Sequence, residues 1–442
     1  MRDTVITAML LAVMVLAVVC GAAEEPTPPV VFVYNDGLET IWAEKLGLDS
    51  PLKGINLKKR YDNYTDLLTD YKPDFYSIDT FSVNLQELLQ AGMLEPFEPT
   101  ETMLAEIASF PVYVQQLIRE SLMTSDGKLL GYPSTGSGIL GDPKFIGYWI
   151  PDAWEASPFK DINPPTCYEE LLDFIEVYLN TPHDGFRLYY CTSGSRSAFI
   201  WDLFVYPLMD SWVIQSENAG KPLTFSDPKF IALVEKAQRL IPRLVKEDYR
   251  AKVNTKMRYL LADRRSRGYS YNLKDTFIMT NMIPLRVTAD QPPLFNVEMT
   301  LNCVMAGSNW ATWARELFTV MPEERSLTIR GVTYYDEFAF PGLYDVEGSN
   351  KDIDQLKAPK YRKYTQAWVD SIQDLDQSIV PCMLPGLWQP DSQYSESMHA
   401  IKLAFIERTM KPEEFAAEMD RINAARISGS WDKDIWVEDM GD

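Results

Sequence analysis

The chain has few histidines, and their positions do not favour metal or hydrolase chemistry. His183 lies in a Pro-His-Asp-Gly turn and His399 lies in a helical stretch, so neither has metal-ligand spacing. The sequence also lacks a Gly-x-Ser-x-Gly nucleophile elbow and a Walker-type phosphate loop. These absences argue against a Ser-His-Asp hydrolase, and we expect neither a metal nor a cofactor.

Cysteine is also scarce, with five residues in 442. Cys20 falls in the N-terminal leader, and the remaining four are far apart and lack the paired spacing of a zinc site. Two interpretations stay open for them: one or two disulfides, or buried free thiols. The four are Cys167, Cys191, Cys303 and Cys382.

Basic residues are too few to balance the acidic ones. The 42 Lys and Arg against 63 Asp and Glu give a net charge of −21, which argues against nucleic acid or an anionic membrane surface as a partner. Beyond the N-terminus, no apolar run is long enough to span a bilayer. We therefore expect no membrane span.

The N-terminus has the pattern of an export signal. Arg2 precedes an apolar run over residues 5–19, and Gly21-Ala22-Ala23 offers a small-residue cleavage site. We expect residues 1–23 to be a signal peptide and the protein to be secreted, either extracellular or periplasmic. The alternative is a lipoprotein attached at Cys20, although the residues at 17–19 fit that pattern poorly.

The remaining chain alternates strand and helix patterns, which predicts an α/β fold with largely parallel sheets. Strands are predicted at residues 30–34, 75–78 and 294–299, and helices at about 168–178, 228–244 and 413–425. In such folds ligands bind where the strands end. The length predicts two domains, and we expect a two-lobed fold with a cleft between the lobes.

The segment from Asp126 to Gly138 predicts where the chain crosses between lobes. It reads Asp-Gly-Lys-Leu-Leu-Gly-Tyr-Pro-Ser-Thr-Gly-Ser-Gly, a turn and short strand followed by a loop whose glycines allow a sharp bend. A second crossing is predicted near Pro292. The predicted lobes are residues 24–133 with 293–345, and residues 134–292 with 346–442.

This crossing motif and the stretch Leu-Leu-Gln-Ala-Gly-Met-Leu-Glu-Pro-Phe over residues 88–97 resemble extracellular solute-binding proteins of ABC importers, a type 2 periplasmic-binding scaffold. Four further segments resemble thiaminase I (thiamine pyridinylase), an enzyme family on the same scaffold. They are residues 75–81, the Gly-Ser-Gly at 136–138, the Arg-Gly-Tyr-Ser-Tyr at 267–271, and 284–285 followed by 294–298.

The resemblance implies roles for residues at matching positions. Ser137 stands where the family has its cysteine nucleophile, and Tyr271 stands where it has a glutamate base. A serine without an adjacent base is a weak nucleophile at neutral pH, so catalysis is expected to be impaired. The positions implied to bind the ligand are Tyr34, Asp79, Tyr269, Asn296 and Glu298.

The sequence therefore predicts a secreted, monomeric, thiaminase-I-like protein that binds thiamine or a related heterocycle without efficient cleavage. Whether it is an enzyme stays open at this stage. The alternatives are an active thiamine pyridinylase-type transferase, or a solute-binding protein of an ABC importer that takes a sugar or another small solute. In the importer alternative, an ABC permease is the expected partner.

Overall fold

The computed structural model describes residues 29–32, 38–48, 53–54, 68–69, 71–80, 85–109, 112–134, 142–190, 196–249, 257–262, 281–318, 326–329, 332–335, 378–384 and 394–428. The predicted signal peptide at 1–23 lies outside these residues. None of the helices in these ranges is long and apolar enough to cross a membrane.

The described strands are β1 (Val30–Phe32), β2 (Lys53–Gly54), β3 (Phe75–Asp79), β4 (Tyr132–Ser134), β5 (Asp142–Lys144), β6 (Gly147–Trp149), β7 (Phe186–Tyr190), β8 (Arg258–Ala262), β9 (Met282–Ile283), β10 (Leu294–Glu298), β11 (Thr300–Val304), β12 (Ser326–Ile329), β13 (Val332–Tyr335) and β14 (Val380–Cys382).

The described helices are α1 (Leu38–Lys45), α2 (Leu85–Gln90), α3 (Glu101–Ser109), α4 (Val112–Leu117), α5 (Pro151–Glu155), α6 (Tyr168–Asn180), α7 (Arg196–Ile200), α8 (Tyr206–Asn218), α9 (Pro228–Glu247), α10 (Ala314–Leu317), α11 (Tyr394–Glu407) and α12 (Pro412–Ser428). A π-helical turn, Ile118–Leu122, continues α4, and a second, Trp201–Val205, joins α7 to α8. The predicted α/β class is confirmed.

Local signals explain where the long helices begin. The Asp227 carboxylate accepts a hydrogen bond from Lys229 N at 2.7 Å and caps α9, which has proline at its first position. At α6 the cap is Cys167, whose Sγ accepts a hydrogen bond from Glu170 N. Thr166, the residue before the cap, donates from its backbone N to Glu170 Oε2 at 2.8 Å, so the Glu170 side chain also fixes the chain just ahead of the helix.

A first sheet has the strand order β2-β1-β3-β11-β4 among the described residues. Strands β1, β2 and β3 are parallel, whereas β11 runs antiparallel to both β3 and β4. The prediction of a largely parallel sheet is therefore incomplete here, because β11 inserts from a distant part of the chain. We call this sheet and its helices the first unit.

A second sheet has the order β7-β8-β6-β9 within the described part of the chain. β7 and β8 are parallel, and β6 is antiparallel to β8 and β9. Helix α9 packs against α6 and contributes an apolar stripe that includes Phe230, Leu233 and Val234. The helices α11 and α12 also pack on α9, and this sheet with its helices is the second unit.

Five described strands lie outside both sheets: β12 and β13 pair antiparallel with each other, and the other three pair among themselves. β10 is antiparallel to β5 and parallel to β14, which makes a small sheet of order β14-β10-β5 in the described residues. β5 follows β4 and precedes β6, while β10 follows β9 and precedes β11. The two crossings between the units therefore run side by side, and we call β5, β10 and β14 the linker sheet. The residue boundaries predicted for the lobes stay a prediction.

The buried carboxylate of Asp248 joins three elements of the second unit. It accepts hydrogen bonds from Tyr178 Oη at 2.7 Å, Leu188 N at 2.9 Å and Tyr189 N at 3.3 Å, and so connects α6 and the end of α9 to the edge strand β7. Burial raises the pKa of Asp248, and the hydrogen bond from Tyr178 opposes that rise.

Replacing Asp248 by alanine should lower the free energy of unfolding by about 2–4 kcal/mol, because three buried donors lose their acceptor. Urea denaturation measures this change. The control is Glu247→Ala, the neighbouring residue, which makes none of these three bonds. Equal losses in the two variants would contradict the structural role of Asp248.

Candidate functional site

The carboxyl ends of the parallel strands in both units face the linker sheet. In the first unit β4 ends at Ser134 and continues into β5, and β11 begins at Thr300 directly after β10. In the second unit β6 begins at Gly147 opposite Ile283, the last residue of β9. Ligands of α/β proteins bind outside the carboxyl ends of strands, so the linker sheet lies between two candidate edges.

At the edge of the first sheet, three polar residues stand in one row on neighbouring strands. Thr300 is the register partner of both Asp79 and Ser134. The turn from β10 into β11 is tied to this row, since Thr80 N donates to Met299 O and Met299 N donates to Thr80 Oγ1, each at 2.9 Å. The end of β3 and the end of β10 are thereby held together.

Three residues of the predicted site lie in the described part of the chain. Asp79 ends β3, and Asn296 and Glu298 lie on the linker strand β10. The other predicted residues, Tyr34, Ser137, Tyr269 and Tyr271, lie outside the described residues. The strands β1 and β4, which precede Tyr34 and Ser137 in the sequence, end with the polypeptide running toward the linker sheet. The predicted assignments of these residues stay predictions.

Glu298 is paired with a lysine that sequence reasoning missed. Lys144 Nζ of β5 lies 2.6 Å from Glu298 Oε2 of β10, and the two side chains are 18% and 30% exposed. In the register of the two strands, Lys144 faces Asn296 and Glu298 faces Asp142, so the ion pair is diagonal. The pair joins the two crossing strands and compensates the charge of Glu298.

Asn296 is fully buried, and its side-chain amide forms hydrogen bonds within the linker sheet. Its Nδ2 donates to Leu384 O at 2.8 Å, while its Oδ1 accepts from Leu384 N at 2.9 Å. This pair of bonds extends the parallel pairing of β10 with β14 beyond the last register partner, Cys382. The amide therefore holds a third chain segment against the crossing strands.

The described cysteines are not poised as nucleophiles. Cys167, Cys303 and Cys382 are free thiols in this part of the chain, and Cys191 lies outside it. Burial raises the pKa of each of the three, to about 12 for Cys382. Only the thiolate form of cysteine is a strong nucleophile. None of these three cysteines therefore supplies the thiolate that the resemblance to thiaminase I places at position 137.

His183 also has a local structural role. Its ring stacks on Tyr178 with centroids 3.9 Å apart, and its Nδ1 lies 2.7 Å from Thr181 O. Among the described residues, no group of three or more His, Cys, Asp or Glu is placed to hold a metal ion.

No protein-family model and no curated protein matches the chain. Solved structures of solute-binding proteins are similar to it. One is an ABC transporter solute-binding protein from Agrobacterium radiobacter K84 in complex with ribitol, with 14% identity, a TM-score of 0.40, and coverage of 90% of this chain and 98% of that chain. Another is a cyclo/maltodextrin-binding protein complexed with maltotetraose, with 12% identity, a TM-score of 0.42, and coverage of 91% and 98%. Similarity at this level assigns no ligand.

The Lys144–Glu298 pair should stabilise the linker sheet measurably. A double-mutant cycle with Lys144→Met and Glu298→Gln is expected to give a coupling energy of about 1 kcal/mol, because the pair is mostly buried. The coupling should shrink in 1 M salt, where charges are screened.

The matched control is the pair of Lys128 and Asp126, which is 3.2 Å apart but 37% and 61% exposed. Its coupling energy should be smaller, as expected for a surface pair. A coupling at Lys144–Glu298 no larger than this control would show that the linker pair does not hold the crossing strands.

Proposed function

We propose that this protein is a secreted, type 2 solute-binding protein that holds a small, hydroxyl-rich solute between the carboxyl edges of its two sheets. The observation that carries the proposal is the linker sheet. Its strands β5 and β10 run side by side between the edges at which the parallel strands of both units end. An ABC permease is the partner that this function implies.

The compensated charge of Glu298 in the linker sheet favours a neutral solute over a cation, so a neutral solute is the first candidate ligand. The resemblance to thiaminase I implies that Glu298 offers a negative charge to the ligand. In the structure Lys144 Nζ lies 2.6 Å from Glu298 Oε2 and compensates that charge. The row formed by Asp79, Thr300 and Ser134 carries one acidic residue and two hydroxyl residues. Such residue types bind hydroxyl groups by hydrogen bonding without requiring a positive charge on the ligand.

A thiamine-like heterocycle is the second candidate. It is supported by the position of Asp79, which ends β3 at the candidate edge and matches the aspartate that faces the aminopyrimidine in thiaminase I. Under this candidate Tyr34 and Tyr269 form the aromatic walls. This second candidate does not include cleavage of the heterocycle, because Ser137 and Tyr271 replace the cysteine nucleophile and the glutamate base of thiaminase I.

Binding calorimetry with ribitol, maltotetraose and thiamine tests the proposal. We expect a neutral probe to bind more tightly than thiamine, and Asp79→Ala to weaken that binding by about 1.5–3 kcal/mol, the scale of a hydrogen bond to a charged group. The control is Asp126→Ala, in an exposed turn, which should leave the affinity unchanged. Binding of thiamine alone would favour the second candidate, and an unchanged affinity in Asp79→Ala would remove Asp79 from the site.

The purified protein should not cleave thiamine. A serine hydroxyl without an adjacent base is not ionised enough to attack the pyrimidine. Mass spectrometry of thiamine after incubation measures cleavage, with Ser137→Ala as the control. If the pocket accepts thiamine, the double variant Ser137→Cys, Tyr271→Glu should gain detectable turnover. Turnover by the native protein that Ser137→Ala abolishes would make Ser137 a working nucleophile and would contradict this prediction.

A further inference from the structure

The loop between β9 and β10 leads the chain out of the second unit and into the linker sheet. It begins after Ile283 and ends before Leu294, and its last two residues are Pro292 and Pro293. Proline has a restricted φ angle and no N–H group, so this exit is stiff, and the two prolines offer only carbonyls for backbone hydrogen bonding. The direction in which β10 leaves the second unit therefore depends in part on the groups that bind these carbonyls.

One buried side chain of the second unit binds both ends of this loop. Gln215 of α8 is 5% exposed, and its Nε2 donates to Leu285 O at 2.6 Å and to Pro292 O at 2.8 Å. A primary amide carries two N–H donors, so the two carbonyls use both of them. Leu285 N donates in turn to Leu294 O at 2.6 Å, which connects the first residue of β10 to the same group of bonds.

The middle of the loop is also fixed to the second unit. Arg286 donates from Nε to Thr166 O and from Nη2 to Thr166 Oγ1, each at 2.7 Å, just before α6 begins. Gln291 Oε1 accepts from Val287 N at 2.8 Å, which folds the loop back on itself. These bonds hold the body of the loop, whereas the bonds of Gln215 hold its exit.

The opposite end of β10 is fixed to the first unit. Thr80, the residue after β3, forms hydrogen bonds with both backbone groups of Met299. β10 is therefore attached at one end to the second unit through Gln215 and at the other end to the first unit through Thr80. From Leu294 to Glu298 the strand spans only about 13 Å, so a small change of direction at its exit moves one unit relative to the other.

We propose that Gln215 is a positioning residue for solute binding: it fixes the direction in which β10 leaves the second unit and so sets the spacing of the two carboxyl edges. The inference rests on the proposed function, because it takes the solute to be held between these edges. Gln215 does not touch the solute in this role. It lowers the cost of binding, since the edges are held near the required spacing before the solute arrives.

The test measures the spacing of the two units without ligand. Spin labels on p-acetylphenylalanine, introduced at the exposed positions Glu44 of α1 and Glu235 of α9, report the distance between the units by pulsed electron paramagnetic resonance. Gln215→Met nearly keeps the length of the side chain and removes both donors. It should shift or broaden the distribution of label distances relative to the wild type, because the exit of β10 is no longer held.

The matched control is Gln238→Met. Gln238 of α9 is a second buried glutamine of the same unit, and its Nε2 donates to Met410 O at 3.2 Å, between α11 and α12 and outside the linker sheet. Both substitutions should lower the melting temperature, because each removes a hydrogen bond of a buried amide. Only Gln215→Met should change the distances, and only it should weaken binding of ribitol or maltotetraose in calorimetry, by about three- to tenfold.

Distances in Gln215→Met that match the wild type, or that change equally in Gln238→Met, overturn the inference. A changed distance with unchanged affinity also overturns it, because the spacing would then not matter for binding. If the wild type binds none of ribitol, maltotetraose and thiamine, the proposed ligand class fails, while the distances still decide whether Gln215 sets the spacing. If Gln215→Met does not fold, Gln215→Asn and Gln238→Asn provide the same comparison with a shortened amide.

Discussion

The antiparallel pairing of β5 with β10 is the constraint on which the arrangement of the site depends. One strand carries the chain from the first unit to the second, and the other carries it back, so their side-by-side pairing fixes where each sheet is entered and left. A strand that enters a sheet at the edge where parallel strands end must run antiparallel to them. This explains the direction of β6 and of β11, and it explains why the carboxyl ends of both units face the same linker sheet.

The residues that hold this linker together are partly those that the sequence assigns to ligand binding. Glu298 pairs with Lys144, and the buried Asn296 amide binds both backbone groups of Leu384. A side chain whose hydrogen-bonding groups are occupied by the protein is costly to redirect toward a ligand. The resemblance to thiaminase I assigns these positions to ligand binding, whereas in the structure their side chains bind other groups of the protein and hold the linker sheet together.

The elements encoded by local patterns were predictable from the sequence, and those made by distant pairing were not. Asp227-Pro228 marks the start of α9, and the apolar strand β3 ends near its predicted place. The insertion of β11 between β3 and β4, and the contact of Lys144 with Glu298, join segments more than 150 positions apart, so no local pattern signals them.

Two carboxylates of the second unit, one buried and one partly buried, show how acidic side chains join distant elements of this fold. Asp248 accepts two backbone N–H groups and a tyrosine hydroxyl, and Asp420 of α12 accepts from Phe225 N at 2.6 Å and Ser226 N at 2.9 Å. Both carboxylates join elements that would otherwise leave backbone donors unpaired, which is the usual role of an acidic group inside a fold. Because donors of the protein itself occupy the oxygens of Asp248 and Asp420, both carboxylates suit the fold, and neither is available to a ligand without loss of these bonds.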